Sequence, residues 1–238
     1  MISTREISCR SQTRRAGQFF SKLTDSSLED FFELEYPSSF AANVLLFTEG
    51  EPSRGISVIL EGKVRLSINS SEGRRLSLRI AREGDIIGLS STLCGTPYQM
   101  TAETLCPSKI APIERREFLK FLACHPDAYQ SVTEELGRHM IMACSQLRTL
   151  GLSSSAPEKL ARLLLEWSDC GQETESQGRL RLSLTHEEIG DFIGTSRETV
   201  TRTLNHFKNR HLVAFQGSMM TIPNRAALAD FAHAQVYR

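Results

Sequence analysis

Residues 194–207 read GTSRETVTRTLNHF, and their reading decides the fold of the chain's last third. On a helical wheel, at about 100° per residue, Val200, Leu204 and Phe207 share one side. Arg197, Glu198, Thr201, Arg202, Asn205 and Lys208 share the other. A lone carboxylate therefore stands in a basic helix face. That face carries the groups that read base edges: an arginine fork matches guanine O6 and N7, and a carboxylate accepts from cytosine N4. Phosphates repel a carboxylate, so Glu198 suits a specificity device better than a source of affinity. The alternative is that Glu198 caps its helix and pairs with Arg202 four residues on.

The residues before it, LTHEEIGDFIG (184–194), predict a first helix. Thr185 and Glu188 have the spacing of a capping box, and Ile189, Phe192 and Ile193 form the apolar stripe. Gly194 permits a tight turn, and Thr195 with Glu198 predicts a second capping box. Two capped helices around a glycine turn are the sequence form of a helix-turn-helix. Beyond them, LVAF-QGS-MMTI predicts a hairpin with Gly217 in its turn, Pro223 ending it and Asn224 capping a last short helix. That hairpin would be a wing.

Working back toward the N-terminus, LSSSAPEKLARLLLEW (152–167) predicts a helix with Ser155 as N-cap and Pro157 in its first turn. The serine run before it reads as a hinge. From Pro126 the apolar period is helical: Leu136, Met140, Ala143, Leu147 and Leu150 step by four, three, four and three. This is a heptad seam, and it predicts a homodimer, with Gly137 and Cys144 allowing close approach. Further back, VLLFTEG, GISVILEGKVRLSINSSEG and RRLSLRIAREGDIIG are short Val/Ile/Leu runs with glycine corners, and Val64, Leu66 and Ile68 alternate to one face. They predict a compact antiparallel roll or barrel. DSSLEDFFELE (25–35) predicts a short acidic amphipathic helix.

The expected class is therefore α+β, with a tail over 1–18, a β-roll sensor domain over 19–125, a dimerisation helix over 126–152 and a winged helix-turn-helix domain over 153–238.

The chain has 238 residues, 40% hydrophobic and 24% charged, with a formal net charge of zero, so overall charge does not announce nucleic acid. The local balance does: Arg197, Arg202, Lys208 and Arg210, with His206 and His211, face Glu198 alone between Thr195 and Phe215. His206 and His211 read as surface residues. No apolar run approaches the ~20 residues that span a bilayer. The N-terminal basic residues precede no apolar core, so a cytoplasmic protein without a membrane partner is expected. Cys9, Cys94, Cys106, Cys124, Cys144 and Cys170 are scattered; they read as small buried hydrophobes, and no metal site is expected. GISVILEGKV lacks phosphate-loop spacing, with six residues between Gly55 and Gly62 and a valine after Lys63. Without a nucleophile–base pair, the chain does not read as an enzyme.

LTHEEIGDFIGTSRETVTRTLNHF with its wing resembles the DNA-binding signature of the cyclic-AMP receptor/fumarate–nitrate regulator (CRP/FNR) family of bacterial transcription factors. The order of elements from about Phe19 onward is also similar, and GDIIG and HPDAY support the resemblance. It implies that Arg197 and Arg202 read guanines and Glu198 the cytosine side. It implies backbone contacts from Thr185 and Ser196, joined on the exposed face by Thr201 and Lys208. Double-stranded DNA and RNA polymerase are the partners it implies.

In the sensor the match fails. Leu89 stands where cyclic-nucleotide-binding members carry a glutamate, Tyr98 and Gln99 where they carry Arg-Ser, and Ala143 and Cys144 where hydroxyl residues touch the base. A buried cyclic phosphate without a cation is poorly compensated, so cyclic AMP is not the expected effector. The segment around GDIIG lies closer to the oxygen-sensing branch, but that branch's iron–sulfur cluster needs an N-terminal cysteine cluster, and here only Cys9 is present. No cofactor is predicted, which leaves haem, thiol redox, another effector or none. Set against a DNA-binding regulator is a ligand-binding module whose basic helix docks on protein; the combination of the basic reading face with a wing favours DNA.

Overall fold

The Val/Ile/Leu runs pair into two four-stranded sheets in the computed structural model, which describes residues 19–153, 155–169, 179–181, 184–216 and 219–233. The strands are β1 (Ser38–Phe40), β2 (Leu45–Phe47), β3 (Gly55–Glu61), β4 (Lys63–Asn69), β5 (Arg75–Arg82), β6 (Ile86–Ile87), β7 (Thr101–Thr104) and β8 (Ser108–Glu114). One sheet runs β1-β8-β3-β6 and the other β2-β7-β4-β5. Their glycine corners have a steric cause. At Gly55 a Cβ would lie 2.0 Å from the Ile113 carbonyl oxygen, so only glycine lets β3 pass β8 there.

Two cores result in this unit. Phe47, Ile59, Val64, Leu66 and Tyr98 fill the roll. A second cluster joins β3 and β8 to a 3-10 turn (Phe20–Lys22), α1 (Asp25–Glu33), α2 (Leu89–Cys94) and α3 (Arg115–Cys124). Phe19, Phe20, Phe31 and Phe121 meet there with ring centroids 5.0–5.8 Å apart. On β4 the expected inward residues Val64 and Leu66 are buried, and so are Arg65 and Ser67 on the opposite side. Both faces of this strand are covered, and Arg65 is accommodated by an ion pair of 2.7 Å to Glu103.

The long helix α4 spans Pro126–Leu152. Its start is fastened by Asp127, which accepts from the Thr24 backbone N–H at 2.8 Å and from the Ser27 hydroxyl at 2.9 Å. Burial would raise the Asp127 pKa, but these hydrogen bonds outweigh it and hold it below the usual value. The chain's compact units divide within α4: residues up to Met142, without 69–77, form the first, and residues 69–77 with those from Ala143 onward form the second. The expected seam residues differ in exposure within the single chain. Leu136 packs on the core of the first unit and Leu150 is half-buried, whereas Met140 and Leu147 are 67% and 69% exposed. Ala143 is exposed with them, as are Gly137, Cys144 and Gly151 beside the seam positions.

The second unit holds α5 (Ala156–Asp169), β9 (Arg179–Arg181), α6 (His186–Ile193), α7 (Arg197–Asn209), β10 (Ala214–Gln216), β11 (Met219–Thr221) and α8 (Arg225–His233). Ser155 precedes α5 and its hydroxyl accepts from the Glu158 N–H at 3.4 Å; Asn224 Oδ1 accepts from the Ala227 N–H at 3.0 Å. The wing is a three-stranded sheet, β10-β11-β9, and β9 was not legible in the polar stretch around it. Gly217 lies outside the described residues, as do Cys9, Cys170 and the tail 1–18.

The cysteine reading needs correction. Cys94, Cys124 and Cys144 are exposed and Cys106 is half-buried. Cys94 and Cys124 are the last residues of their helices, and Cys144 lies on the open line of α4, so none reaches a core. Among the described residues no group of three or more His, Cys, Asp or Glu side chains could hold a metal. Nor is any helix among them long and apolar enough to cross a membrane.

Candidate nucleic-acid interface

The capping box expected for the first helix is complete. Thr185 Oγ1 accepts from the Glu188 N–H at 3.2 Å, and Glu188 Oε2 accepts from the Thr185 N–H at 2.7 Å. Gly194 ends α6 in the left-handed conformation at φ 65°, where glycine carries no Cβ penalty. Gly190 is as constrained by closeness: a Cβ there would lie 2.6 Å from the Thr195 carbonyl oxygen, on the far side of the turn. These two glycines fix the approach of α7 to α6.

The second cap differs from the expected one. Ser196, not Thr195, is the N-cap of α7, its hydroxyl accepting from the Thr199 N–H at 3.3 Å. Glu198 consequently stands one residue too early for a capping box. Its carboxylate pKa is lowered, first by its own backbone N–H, then by the Ser196 hydroxyl and the nearby Arg197 charge. It stays ionised at neutral pH. The alternative pairing with Arg202 does not form: among the described residues neither Arg197 nor Arg202 takes part in an ion pair within 4.0 Å.

Val200, Leu204 and Phe207 are 0–2% exposed, and Thr203, which the wheel did not single out, is buried with them. Phe207 meets Phe231 of α8 edge-on at 5.2 Å. Trp167 of α5 meets Phe192 of α6 at 5.5 Å and 90°. With its apolar side held this way, α7 turns Arg197, Glu198, Thr201, Arg202 and Asn205 into one shallow open groove. Asn205, absent from the expected contact residues, joins them through its position one turn after Thr201. Thr185, Ser196 and Lys208 are exposed beside this face, the first two with hydroxyls already engaged as caps. Thr201 donates to the Arg197 carbonyl at 2.9 Å and meets His186 Nδ1 at 2.8 Å. His186 went unnoticed in the sequence because the contact spans fifteen residues and depends on how two helices cross.

The five positions of the expected effector pocket fall in both units, and each is described within its own. Leu89 is buried in the helix-backed core, and Tyr98 is buried in the roll core, stacked on Phe47 at 4.0 Å and 15°. The Tyr98 hydroxyl donates to the Gly55 carbonyl at 2.9 Å and accepts from the Arg54 and Gly55 N–H groups. Gln99 is exposed and donates to the Pro97 carbonyl. Ala143 and Cys144 are exposed on α4. A Ser–His–Asp arrangement exists elsewhere: Ser27 Oγ lies 3.0 Å from His125 Nδ1, and His125 Nε2 3.1 Å from Asp30. Ser27 is 2% exposed and gives its hydrogen to Asp127, so this network fastens α4 and presents no nucleophile.

An antiparallel β-roll with a long helix, joined in one chain to a winged helix-turn-helix whose reading face is open, defines an effector-domain transcription regulator. Comparison with known proteins agrees. Residues 37–125 match the cyclic nucleotide-binding domain family and residues 158–231 the Crp-like helix-turn-helix domain family. The chain is 27% identical over 217 residues to the CRP-like cAMP-activated global transcriptional regulator of Mycobacterium tuberculosis, covering 90% of this chain and 96% of that protein. It is 26% identical to the global nitrogen regulator of a Synechocystis strain, covering 81% and 86% of the two chains. The fold matches FixK2 from Bradyrhizobium japonicum with a TM-score of 0.73 and 23% identity, over 82% of this chain and 96% of that one. The protein belongs to the CRP/FNR family of transcription regulators, and its C-terminal unit is the family's helix-turn-helix DNA-binding domain.

Proposed function

We propose that the protein is a cytoplasmic homodimer that reads an inverted-repeat operator with α7 and acts through RNA polymerase, without enzymatic activity. The observation that carries the reading is the open groove of Arg197, Glu198, Thr201, Arg202 and Asn205, in which neither arginine is engaged in an ion pair among the described residues. Guanidinium forks left open on one helix face are available for guanine edges. The apolar line of α4 supports a two-fold partner, which would place two recognition helices about one helical turn, roughly 34–36 Å, apart. Arg197, Glu198 and Arg202 then read a G, a C:G pair and a further G:C pair, in a word of the TGTGA type. Thr185, Ser196, Thr201 and Lys208 hold the backbone.

The sensor does not take cyclic AMP in this reading. Where a cyclic phosphate needs a cation, Tyr98 spends its hydroxyl on Gly55, Leu89 is apolar and Gln99 turns outward. Of the roll's cations, Arg65 and Arg79 face Glu103 and Asp85. An iron–sulfur cluster likewise lacks a cysteine set, and the effector is another molecule, a thiol redox signal or none. Selection from a random duplex pool, with and without reductant, tests the function. An inverted repeat of G/C-containing half-sites is the expected result, and recovery of no repeat would refute it. Arg197→Ala or Arg202→Ala should each weaken the selected site by about 1–3 kcal/mol and relax choice at one pair.

A further inference from the structure

Asn205 lies inside α7 and lines the reading groove beside Arg197, Glu198, Thr201 and Arg202. Asparagine is a poor helix former, because its side chain competes for the nearby backbone. Its polar neighbours do bond back to the helix: Thr201 donates to the Arg197 carbonyl at 2.9 Å and Thr203 to the Thr199 carbonyl at 2.8 Å. The Asn205 amide does not. Among the described residues no hydrogen bond engages it, and the side chain is exposed. It does not cap α7, whose N-cap is Ser196, and it takes no part in the buried side formed by Val200, Thr203, Leu204 and Phe207. Its donors and acceptor are left to the groove.

The position on the helix limits what this amide can meet. Measured from Arg197, steps of about 100° put Thr201 at about 40°, Asn205 at about 80°, Glu198 at about 100° and Arg202 at about 140°. Asn205 therefore stands near the centre line of the face, with an arginine on each flank. A helix laid in the major groove turns its centre line to the base edges and its flanks to the phosphate walls. Arginines have the length to swing in from the flanks, whereas a short asparagine reaches only what lies in front of it. Along the axis Asn205 follows Arg202 by three residues, or about 4.5 Å. That is close to the ~3.4 Å step of one base pair.

The amide also selects the base. Its carbonyl accepts while its NH2 donates, which matches the N6–H2 donor and the N7 acceptor of adenine together. Guanine presents only acceptors on its major-groove edge, so the amide carbonyl would find no donor there. We propose that Asn205 is a further base-reading residue of α7. It selects an A:T pair adjoining the pair read by Arg202, on the side away from that of Arg197. The inference rests on the DNA-reading function proposed above and extends its half-site by one pair.

Arg202→Ala locates the pair that arginine reads, as the position whose preference it relaxes. The selected operator should carry adenine at the adjoining pair, and a pool without it overturns the proposal. Wild-type protein and Asn205→Ala are then compared by fluorescence anisotropy on this operator and on duplexes with T:A, G:C or C:G at the adjoining pair. A further duplex carries 7-deazaadenine there, which removes N7 alone. Alanine favours the helix, and circular dichroism checks that α7 persists. Wild-type protein should lose roughly 5- to 150-fold in affinity on a wrong pair, the range for a bidentate contact, and a smaller factor on 7-deazaadenine. Asn205→Ala should bind all these duplexes alike, while Arg202→Ala keeps the adenine preference. Wild-type protein indifferent to the base or to 7-deazaadenine overturns the proposal. So does an alanine variant that weakens every duplex equally, which would make Asn205 a backbone contact. Wild-type protein that binds the selected operator no better than a random duplex, or Arg202→Ala that relaxes no pair, overturns the DNA-reading function instead.

Discussion

The open line on α4 can be tested by burying charge in it. Met140 and Leu147 are 67% and 69% exposed in the single chain, and they stand seven residues apart on one side of the helix. Fully covering such a side chain contributes about 1.5–3 kcal/mol; for the two thirds that is open, about 1–2 kcal/mol remains. Two residues on each of two subunits make this about 4–8 kcal/mol of apolar association energy. Replacing both by glutamate removes that term and sets like charges against each other across the two-fold axis. At 1.4 kcal/mol per decade, the dissociation constant should rise by at least three orders of magnitude. Light scattering across a dilution series should show a dimer for wild type and a monomer for Met140→Glu/Leu147→Glu. Leu136→Ala serves as the contrasting variant. Its side chain packs on the core of the first unit, so it should lower the melting temperature and leave the dimer intact. A double glutamate variant that keeps the dimer mass would refute the seam.

Two further perturbations separate roles that geometry leaves superimposed. Glu198→Ala should hold or raise binding to random DNA, because a charge that phosphates repel is gone, while preference at one C:G pair falls about tenfold or more. Unchanged base preference with only a lower melting temperature would make Glu198 a helix cap and nothing else. Burial tends to raise the pKa of Glu135, but hydrogen bonds and charges of His139 and Arg138 override it and hold the carboxyl at about 2, against 4.5 when unfolded. A depressed carboxyl stabilises above its unfolded pKa, so this contribution is whole above 4.5 and is lost as pH falls toward about 2. The displacement corresponds to roughly 3 kcal/mol, reduced to about 1–2 kcal/mol because Arg138 and His139 are partly open to solvent. Urea midpoints across that window should fall less for Glu135→Gln than for wild type, and parallel curves would contradict the assignment.

Legibility in the sequence followed the range of the forces involved. The helix-turn-helix was legible because its determinants are local: the Thr185–Glu188 box, Gly194 and the Val200–Leu204–Phe207 stripe act within a turn or two of each other. The second cap went to Ser196 instead of Thr195, a shift of one residue that moved Glu198 out of the box. The α4 seam shows a similar limit. Its period was legible, but spacing alone does not say which apolar residues serve the chain's own core, and only packing places Leu136 on that core and leaves Met140 exposed. For the cysteines, composition suggested burial, while position at helix ends and on an open helix face decided otherwise. His186 depended on a crossing of two helices that no periodicity encodes.

In the proposed reading, Tyr98 stands where nucleotide-binding members carry a cation, and the structure closes on itself there. A cyclic phosphate would need a cation where the roll instead stacks Tyr98 on Phe47 and ties its hydroxyl to the Arg54–Gly55 backbone. Gly55 cannot take a side chain because of Ile113, and at Gly88 a Cβ would lie 3.1 Å from the Tyr98 ring. The tyrosine is therefore held on three sides by backbone and by an aromatic face. Placing an arginine at position 98 would add a charge but remove the ring that fills this space and leave the Gly55 carbonyl without its donor, and an unsatisfied buried carbonyl is itself destabilising by about 1–3 kcal/mol. An arginine at position 98 would therefore have to replace a ring that is part of the roll's core.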